Sequence, residues 1–498
     1  MEFQSRDPNF SPNPPFKAGR SKPWRLKRGL LVAILALFIG AAALGGFMAA
    51  DTLAAKGKAA ARKAARLFTT APPPPPIVIE GADGMRAPFT YGSWPALANA
   101  EFFSQVKEKF LASGRTFIEA NLSEMKVRLY QKGELVKEAP IISKGREGSW
   151  WETPAGLYTI GVKEERHFSS LGRVWMPWSM QFQGNFFIHG PTYFPDGTPT
   201  PNSYSGGCIR VPMDDVREIF EAVEPGTPVL VYEASFAGKR DEGVAYVPRA
   251  PVEDESVSYL VADLSANTVL AAHNAQEARS IASLTKLMTA LIAVEYINVE
   301  REVLITSEML VATSRPRLRA GERVKVLDLL SLLLLESSNE AAVAVAEPLG
   351  ERYFVNLMNQ KADAIGMLTA NFADTSGASP QNTASAEDLF MLAKYLYHNR
   401  SFVLHMSVGN ENRAAYGPAK FSGLENFNDM ELPERASLVG AKVGMTKAAG
   451  NTMLSVVEIT FGEERRPLAV IVLGADDAKA VTRTLVSHIT DNFALVRN

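Results

Sequence analysis

Residues 185–210 read NFFIHGPTYFPDGTPTPNSYSGGCIR. A short apolar run ends in His189-Gly190. After fourteen intervening residues comes Ser205-Gly-Gly-Cys208-Ile-Arg210, and Cys208 is the only cysteine of the 498-residue chain. A single cysteine forms no intrachain disulfide, so stability rests on packing. A lone cysteine is commonly a small buried hydrophobe, but this one has the company that thiol chemistry needs. A thiol is mostly protonated at neutral pH, so a nucleophilic one requires a base and backbone amides to hold an oxyanion. His189 can be that base, and Gly206-Gly207 leave the amides of Gly207 and Cys208 open to a substrate carbonyl.

Outward from this stretch the pattern is β. Residues 117–121 and 126–131 alternate, Lys132-Gly133 makes a turn into 135–143, and strand-like runs follow at 156–163, 179–183 and 185–188. One helix is expected at 214–223, and Gly226-Thr-Pro228 precedes a closing strand at 229–232. His167, the nearest other imidazole, is expected at the surface. The His-Gly, spacer, Ser-x-Gly-Cys-Ile-Arg pattern resembles the L,D-transpeptidase (YkuD-type) family over roughly residues 116–232. Thr153-Pro-Ala-Gly156, Trp175-Met176 and Gly226-Thr-Pro-Val229 look like that family's other words. The resemblance implies Cys208 as acyl-accepting thiolate and His189 as general base. It places the Gly190 carbonyl against the imidazole and Gly207 at the oxyanion, with Arg210 either anchoring the motif loop or facing substrate. Gly206 stands where many members have histidine, so any support from a second histidine there is missing.

A second set of words lies further on. The run 284–298 is helix-compatible, and its first turn carries Ser283 and Lys286, three apart on one face. A lysine partly stripped of water has a lowered pKa and can take a serine proton. Ser337-Ser-Asn339 follows the apolar run 327–335, and Lys442-Val-Gly444 precedes Met445-Thr446. The order Ser-x-x-Lys, Ser-x-Asn, Lys-x-Gly is that of penicillin-recognising serine enzymes. The words at 281–290, Ala364-Ile-Gly-Met367, Asp374-Thr-Ser-Gly377 and Ala449-Gly450 resemble the penicillin-binding D-alanyl-D-alanine carboxypeptidases and endopeptidases, from about Val257 onward. That resemblance implies Ser283 as nucleophile, Lys286 as base and Ser337 as proton relay. Asn339 would hold the substrate amide, Lys442 would supply charge near the substrate carboxyl end, and the amides of Ser283 and Met445 would bind the oxyanion. No Glu-x-x-Leu-Asn segment follows Asn339, unlike class A β-lactamases. Val443 replaces the usual threonine. Losing one hydrogen bond to a charged group costs about 1.5 to 3 kcal/mol, which weakens carboxypeptidase action most and leaves endopeptidase action favoured. The competing reading is a catalytically weak domain that binds peptidoglycan and positions the first one.

Composition fits a folded, multidomain chain: 46% of residues are hydrophobic and 21% charged, and 52 basic against 54 acidic side chains give a net charge of -2. No global field draws such a chain to nucleic acid. Residues 29–50 carry no charge and, at about 1.5 Å per residue, are long enough to span the hydrocarbon layer as a helix. Lys17, Arg20, Lys22, Arg25, Lys27 and Arg28 precede them, while Lys56, Lys58, Arg62, Lys63 and Arg66 weaken the asymmetry. A cleaved signal peptide is the rival.

The expected organisation is a cytoplasmic tail (1–28), a transmembrane helix (29–50), a stalk with five consecutive prolines (51–99), and a mainly-β L,D-transpeptidase domain (100–233). A linker (234–256) and an α/β (α+β) penicillin-binding, β-lactamase-like domain (257–498) complete it. The resemblances imply peptidoglycan stem peptides as substrates, β-lactams as inhibitors and neither metal nor cofactor, while the apolar run and its basic flank place the catalytic domains on the outer side of a bacterial inner membrane.

Overall fold

The hairpin expected across Lys132-Gly133 is formed by strands Lys126–Gln131 and Glu134–Pro140, and strand Phe117–Asn121 pairs with the first of them, Phe117 opposite Tyr130. They belong to a five-stranded sheet ordered Glu134–Pro140, Lys126–Gln131, Phe117–Asn121, Pro228–Tyr232, Gly156–Thr159. A four-stranded sheet, Ile209–Arg210, Phe186–His189, Val174–Gln183, Lys163–Ser169, packs against it. Between them lie Ile118, Val127 and Leu129 of the first sheet with Met180, Ile188 and Ile209 of the second. Helix Met213–Ala222 closes this core with Val216 and Ile219, as sandwich architecture requires. The computed structural model describes residues 78–80, 86–88, 102–169, 172–201, 206–234, 244–248, 257–409 and 420–497.

A second helix, Phe102–Ala112, corrects the expectation of a single helix in this region. Phe102, Val106 and Phe110 recur every four residues and are buried, a stripe with the helical period. The tail and the apolar run 29–50 lie outside the described residues. Of the expected stalk, two short paired strands, Val78–Glu80 and Arg86–Pro88, are described. Among the described residues no helix is long and apolar enough to cross a membrane.

The second region is built on a five-stranded antiparallel sheet ordered Val269–His273, Ser258–Asp263, Glu464–Ala475, Gly450–Phe461, Ala436–Thr446. Strand 464–475 reads apolar throughout its middle because both faces are covered. Leu468, Val470 and Val472 face helix Ala478–Asn492, while Ala469, Ile471 and Leu473 join the core of helices Thr285–Tyr296, Val326–Leu335 and Ala386–Asn399. Part of the expected linker is itself a strand: Val244–Pro248 pairs with Phe493–Arg497. The alternating Val-Ala-Tyr-Val outweighs its charged flanks there. Residues 77–498 form one compact unit, and the apolar core carries Phe102, Phe117 and Leu157 of the first region beside Leu284 and Leu291 of the second.

Candidate active sites

His189 ends the strand Phe186–His189, and Cys208 immediately precedes Ile209–Arg210, which pairs parallel with it so that Arg210 lies beside His189. Parallel register thus brings together residues nineteen apart in sequence. The His189 Nδ1 faces the Gly190 carbonyl at 2.6 Å, a contact that only a protonated Nδ1 makes well, so Nε2 is left as the acceptor. Both side chains are buried. Burial pushes the His189 pKa down to about 4 and the Cys208 pKa up to about 11. The resting pair is therefore a neutral imidazole and a neutral thiol, with the thiol 3.6 Å from the Asn185 carbonyl.

Glycine is required at 207. Its φ is +102°, and a Cβ there would stand 2.6 Å from both the Phe186 ring and the Trp151 carbonyl. The Gly207 carbonyl accepts from Thr153 Oγ1 at 2.8 Å, and the same hydroxyl accepts from the Gly145 amide at 2.8 Å. The Thr-Pro-Ala-Gly turn thereby fixes the loop that carries the thiol. Arg210 donates to the Pro201 carbonyl and to Thr192 Oγ1, both at 3.0 Å. Of its two expected roles, these contacts are those of an anchor. A cleft of about 750 Å³ opens over Cys208 and His189; Arg146, Trp151 and Phe187 line it, and so does Glu300 of the second region. His167 is partly exposed, as expected; its ring also stacks on Phe187 with centroids 4.8 Å apart and lines the same cleft.

Ser283 stands in a short 3-10 turn, Ala282–Leu284, that runs into helix Thr285–Tyr296. Lys286 Nζ donates to Ser283 Oγ (2.8 Å), Asn339 Oδ1 (2.8 Å) and the Ser376 carbonyl (2.5 Å). It is fully buried, and burial pulls its pKa down to about 7. Such an amine sheds its proton near neutrality while staying in reach of the hydroxyl. Asn339 opens the helix Asn339–Ala346, capped by Ser338, and its amide donates to the Ala312 carbonyl at 2.8 Å. Ser337 and Ala282 hold φ of +56° and +48°, strain of the kind stored beside reacting groups. Ser337 is hydrogen-bonded to neither Ser283 nor Lys286 in the described network.

Strand Ala436–Thr446 closes this site. A Cβ on Gly444 would meet the Ser283 amide nitrogen at 2.8 Å, so glycine lets the strand lie against the turn that carries Ser283. Thr452 Oγ1 ties the Gly444 and Ile281 carbonyls together, each at 3.2 Å. Lys442 Nζ donates to the Val443 carbonyl at 3.0 Å and is fully buried. Burial, with the charges of Lys286 and Lys479, holds its pKa well below the usual lysine range. Val443 packs against the apolar cluster under helix Ala478–Asn492, and the Met445 side chain is exposed.

Two family models match the chain, that of the L,D-transpeptidase catalytic domain at residues 115–231 and that of D-alanyl-D-alanine carboxypeptidase at 245–477. A D-alanyl-D-alanine endopeptidase of Pseudomonas aeruginosa is 32% identical over 237 residues, 45% of this chain and 74% of that protein. One from Escherichia coli is 30% identical over 45% of this chain and 72% of that protein. The chain belongs to the D-alanyl-D-alanine carboxypeptidase family. The Escherichia coli D-alanyl-D-alanine carboxypeptidase DacD is 29% identical over 52% of this chain and 69% of that protein. The family's serine peptidase domain is here joined to an L,D-transpeptidase catalytic domain.

In this carboxypeptidase-family chain Asp374, Ser376 and Gly377 were quoted in the sequence only as part of a family word and not as residues of the site. Asp374 accepts from the amides of Ser376, Gly377 and Ser379 at 2.6 to 2.7 Å, winding a turn that aims the Ser376 carbonyl at Lys286. A Cβ on Gly377, at φ +82°, would fall 1.9 Å from the Ala282 carbonyl. The words Asp-Thr-Ser-Gly marked the turn as a family feature, but only the fold brings it to the lysine.

Proposed function

We propose that this chain remodels peptidoglycan with two acyl-enzyme sites that act on the same stem peptides. At the first, the Cys208 thiol attacks the carbonyl between an L-configured diamino-acid centre and the terminal D-alanine of a tetrapeptide. His189 Nε2 takes the thiol proton and returns it to the leaving D-alanine amine, and the amides of Gly207 and Cys208 hold the oxyanion. The thioester is then resolved by an amine of a neighbouring stem, which makes a 3–3 link, by another amine, or by water. Arg210 holds the loop, and the Gly190 carbonyl fixes the imidazole. The neutral resting pair supports proton transfer in step with attack rather than a preformed thiolate.

At the second site Ser283 is acylated with Lys286 as base, Ser337 passes the proton to the leaving amine, and Asn339 holds the substrate amide. The amides of Ser283 and Met445 stabilise the oxyanion. A carboxylate arriving beside Lys442 would restore the ammonium that burial disfavours. With valine at 443 the cut falls preferentially on D-alanyl cross-links. Either D,D cut leaves a stem ending in one D-alanine, the donor that Cys208 consumes. The observation that carries the reading is the buried Lys286 Nζ 2.8 Å from Ser283 Oγ, in one chain with the Cys208–His189 cleft. β-Lactams, as mimics of the D-alanyl bond, would acylate Ser283. A catalytically weak, peptidoglycan-binding second domain is favoured only by Val443.

The apolar run 29–50 and its basic flank support a single-pass anchor that leaves both catalytic domains outside a bacterial inner membrane, on the stalk 51–99. Labelled penicillin should mark wild type and not Ser283→Ala. Wild type left unlabelled, with cross-linked muropeptides intact, would instead support the binding reading.

A further inference from the structure

Three contacts run from the serine peptidase region to the two segments that clamp Gly207 and Cys208. The Arg400 guanidinium lies over the Phe186 ring, 5.0 Å from its centroid, and that ring is what a Cβ on Gly207 would strike. Arg400 Nη1 donates to the Glu152 carbonyl at 2.9 Å, between Trp151, whose carbonyl also bounds Gly207, and Thr153, which holds the Gly207 carbonyl. The Glu295 carbonyl accepts from the Asn185 amide at 3.0 Å, and the Asn185 carbonyl receives the Cys208 thiol. Gly184, at φ +47°, is forced to be glycine because a Cβ would lie 2.4 Å from the Glu295 carbonyl.

These contacts converge on one buried charge cluster. Glu295 pairs with Arg400 at 3.2 Å and Lys361 at 2.6 Å and accepts from the Tyr395 hydroxyl at 2.6 Å. Glu295 and Arg400 are fully buried. A buried guanidinium held by a carboxylate is expensive to place. It lies over a ring of the thiol domain. Glu295 is also in the last turn of helix Thr285–Tyr296, whose first turn carries Lys286.

We infer that Arg400, fixed by Glu295, is a positioning residue for the Cys208 site, so that the serine peptidase domain supplies part of the scaffold on which the thiol domain's oxyanion loop is set. The inference rests on the proposed L,D-transpeptidase reaction. Arg400 does not line the cleft, so it acts through Phe186 and Glu152 and not on substrate. Displacing reacting groups by about 1 Å costs about 100-fold in rate.

The experiment compares full-length Arg400→Met, Arg400→Lys and Phe186→Leu with wild type. D-alanine release from a tetrapeptide, labelled-penicillin acylation of Ser283 and the melting temperature are measured for each. Arg400→Met should lose about 100-fold in kcat for D-alanine release with KM within about twofold, while Ser283 still labels. Arg400→Lys keeps the charge beside Glu295 but not the flat face, and should recover only part of that loss. Phe186→Leu, which leaves the Glu295–Arg400 pair intact, should reproduce it and decides the matter if Arg400→Met does not fold. Wild-type kcat in folded Arg400→Met and in Phe186→Leu would overturn the inference, as would parallel loss at both nucleophiles. Wild type whose Cys208 forms no thioester with tetrapeptide refutes the proposed reaction instead. The variants' iodoacetamide alkylation rates at Cys208, unchanged from wild type, would then overturn the positioning, and altered rates would uphold it.

Discussion

Replacing Lys286 with methionine should abolish acylation of Ser283 without destabilising the protein. Moving a lysine from its ordinary 10.5 down to about 7 corresponds to roughly 5 kcal/mol at 1.36 kcal/mol per pH unit. The sign is unfavourable to folding: the folded state resists a proton that the unfolded chain keeps. That penalty is full below about pH 7, shrinks as the pH rises, and is gone above the unfolded-state value near 10.5. Methionine fills a similar volume with no charge to desolvate, and it leaves the Asn339 and Ser376 oxygens to be resatisfied, which offsets part of the gain. The net change should lie between zero and a few kcal/mol of stabilisation at pH 7. Activity moves the other way. With the amine titrating near 7, about a tenth of the molecules hold a neutral base at pH 6, half at pH 7 and about nine-tenths at pH 8. Penicillin acylation of Ser283 in wild type should rise about tenfold per unit below pH 6.5 and level off above 8, while Lys286→Met stays flat and about 1,000-fold or more lower. Labelling rates between pH 5 and 9, with melting curves of both proteins, test this. Wild-type rates independent of pH from 5 to 9, or a methionine variant several kcal/mol less stable, would refute the reasoning.

Gly207→Ala should lower D-alanine release at Cys208 by about 100-fold, because φ +102° and the Phe186 and Trp151 contacts leave no room for a methyl; penicillin labelling of Ser283 is the control and should not change. Gly377→Ala should cost about 1 to 3 kcal/mol from its backbone conformation alone, with overlap on the Ala282 carbonyl added. It should abolish Ser283 labelling, and urea melts and labelling together check it. With Cys208 pushed up to about 11 and His189 down to about 4, iodoacetamide alkylation of Cys208 should climb steadily from pH 6 to 10. A plateau beginning below pH 7 would mean a preformed thiolate.

Local signals carried much of the fold. Hairpin 117–131 and the edges of the sheet beside Cys208 follow from alternation and turn residues, which act within a few positions. Helix Phe102–Ala112 was passed over in the sequence, although Phe102, Val106 and Phe110 recur there every four residues. Strand Val244–Pro248 was hidden by charged neighbours, because its partner lies some 250 residues away at 493–497. In the candidate sites Ser283 and Lys286, three apart, were read together from spacing, whereas His189 and Cys208, nineteen apart, were read from a motif and meet through parallel strand pairing. The meeting of the Ser376 carbonyl with Lys286 and the Arg400–Phe186 contact come from chain crossings that no local pattern encodes. Burial decided the rest: His189, Cys208, Lys286 and Lys442 owe their protonation to being enclosed, which residue type alone does not reveal.

The central claim is that two nucleophiles work in sequence on one stem peptide. Its most direct test is mass spectrometry of purified cross-linked peptidoglycan incubated with wild type, Cys208→Ala and Ser283→Ala. Wild type should convert 4–3 dimers to tetrapeptides and then to 3–3 dimers. Cys208→Ala should stop at tetrapeptides, and Ser283→Ala should leave 4–3 dimers uncut. Appearance of 3–3 dimers with Cys208→Ala, or loss of 4–3 dimers with Ser283→Ala, would contradict it.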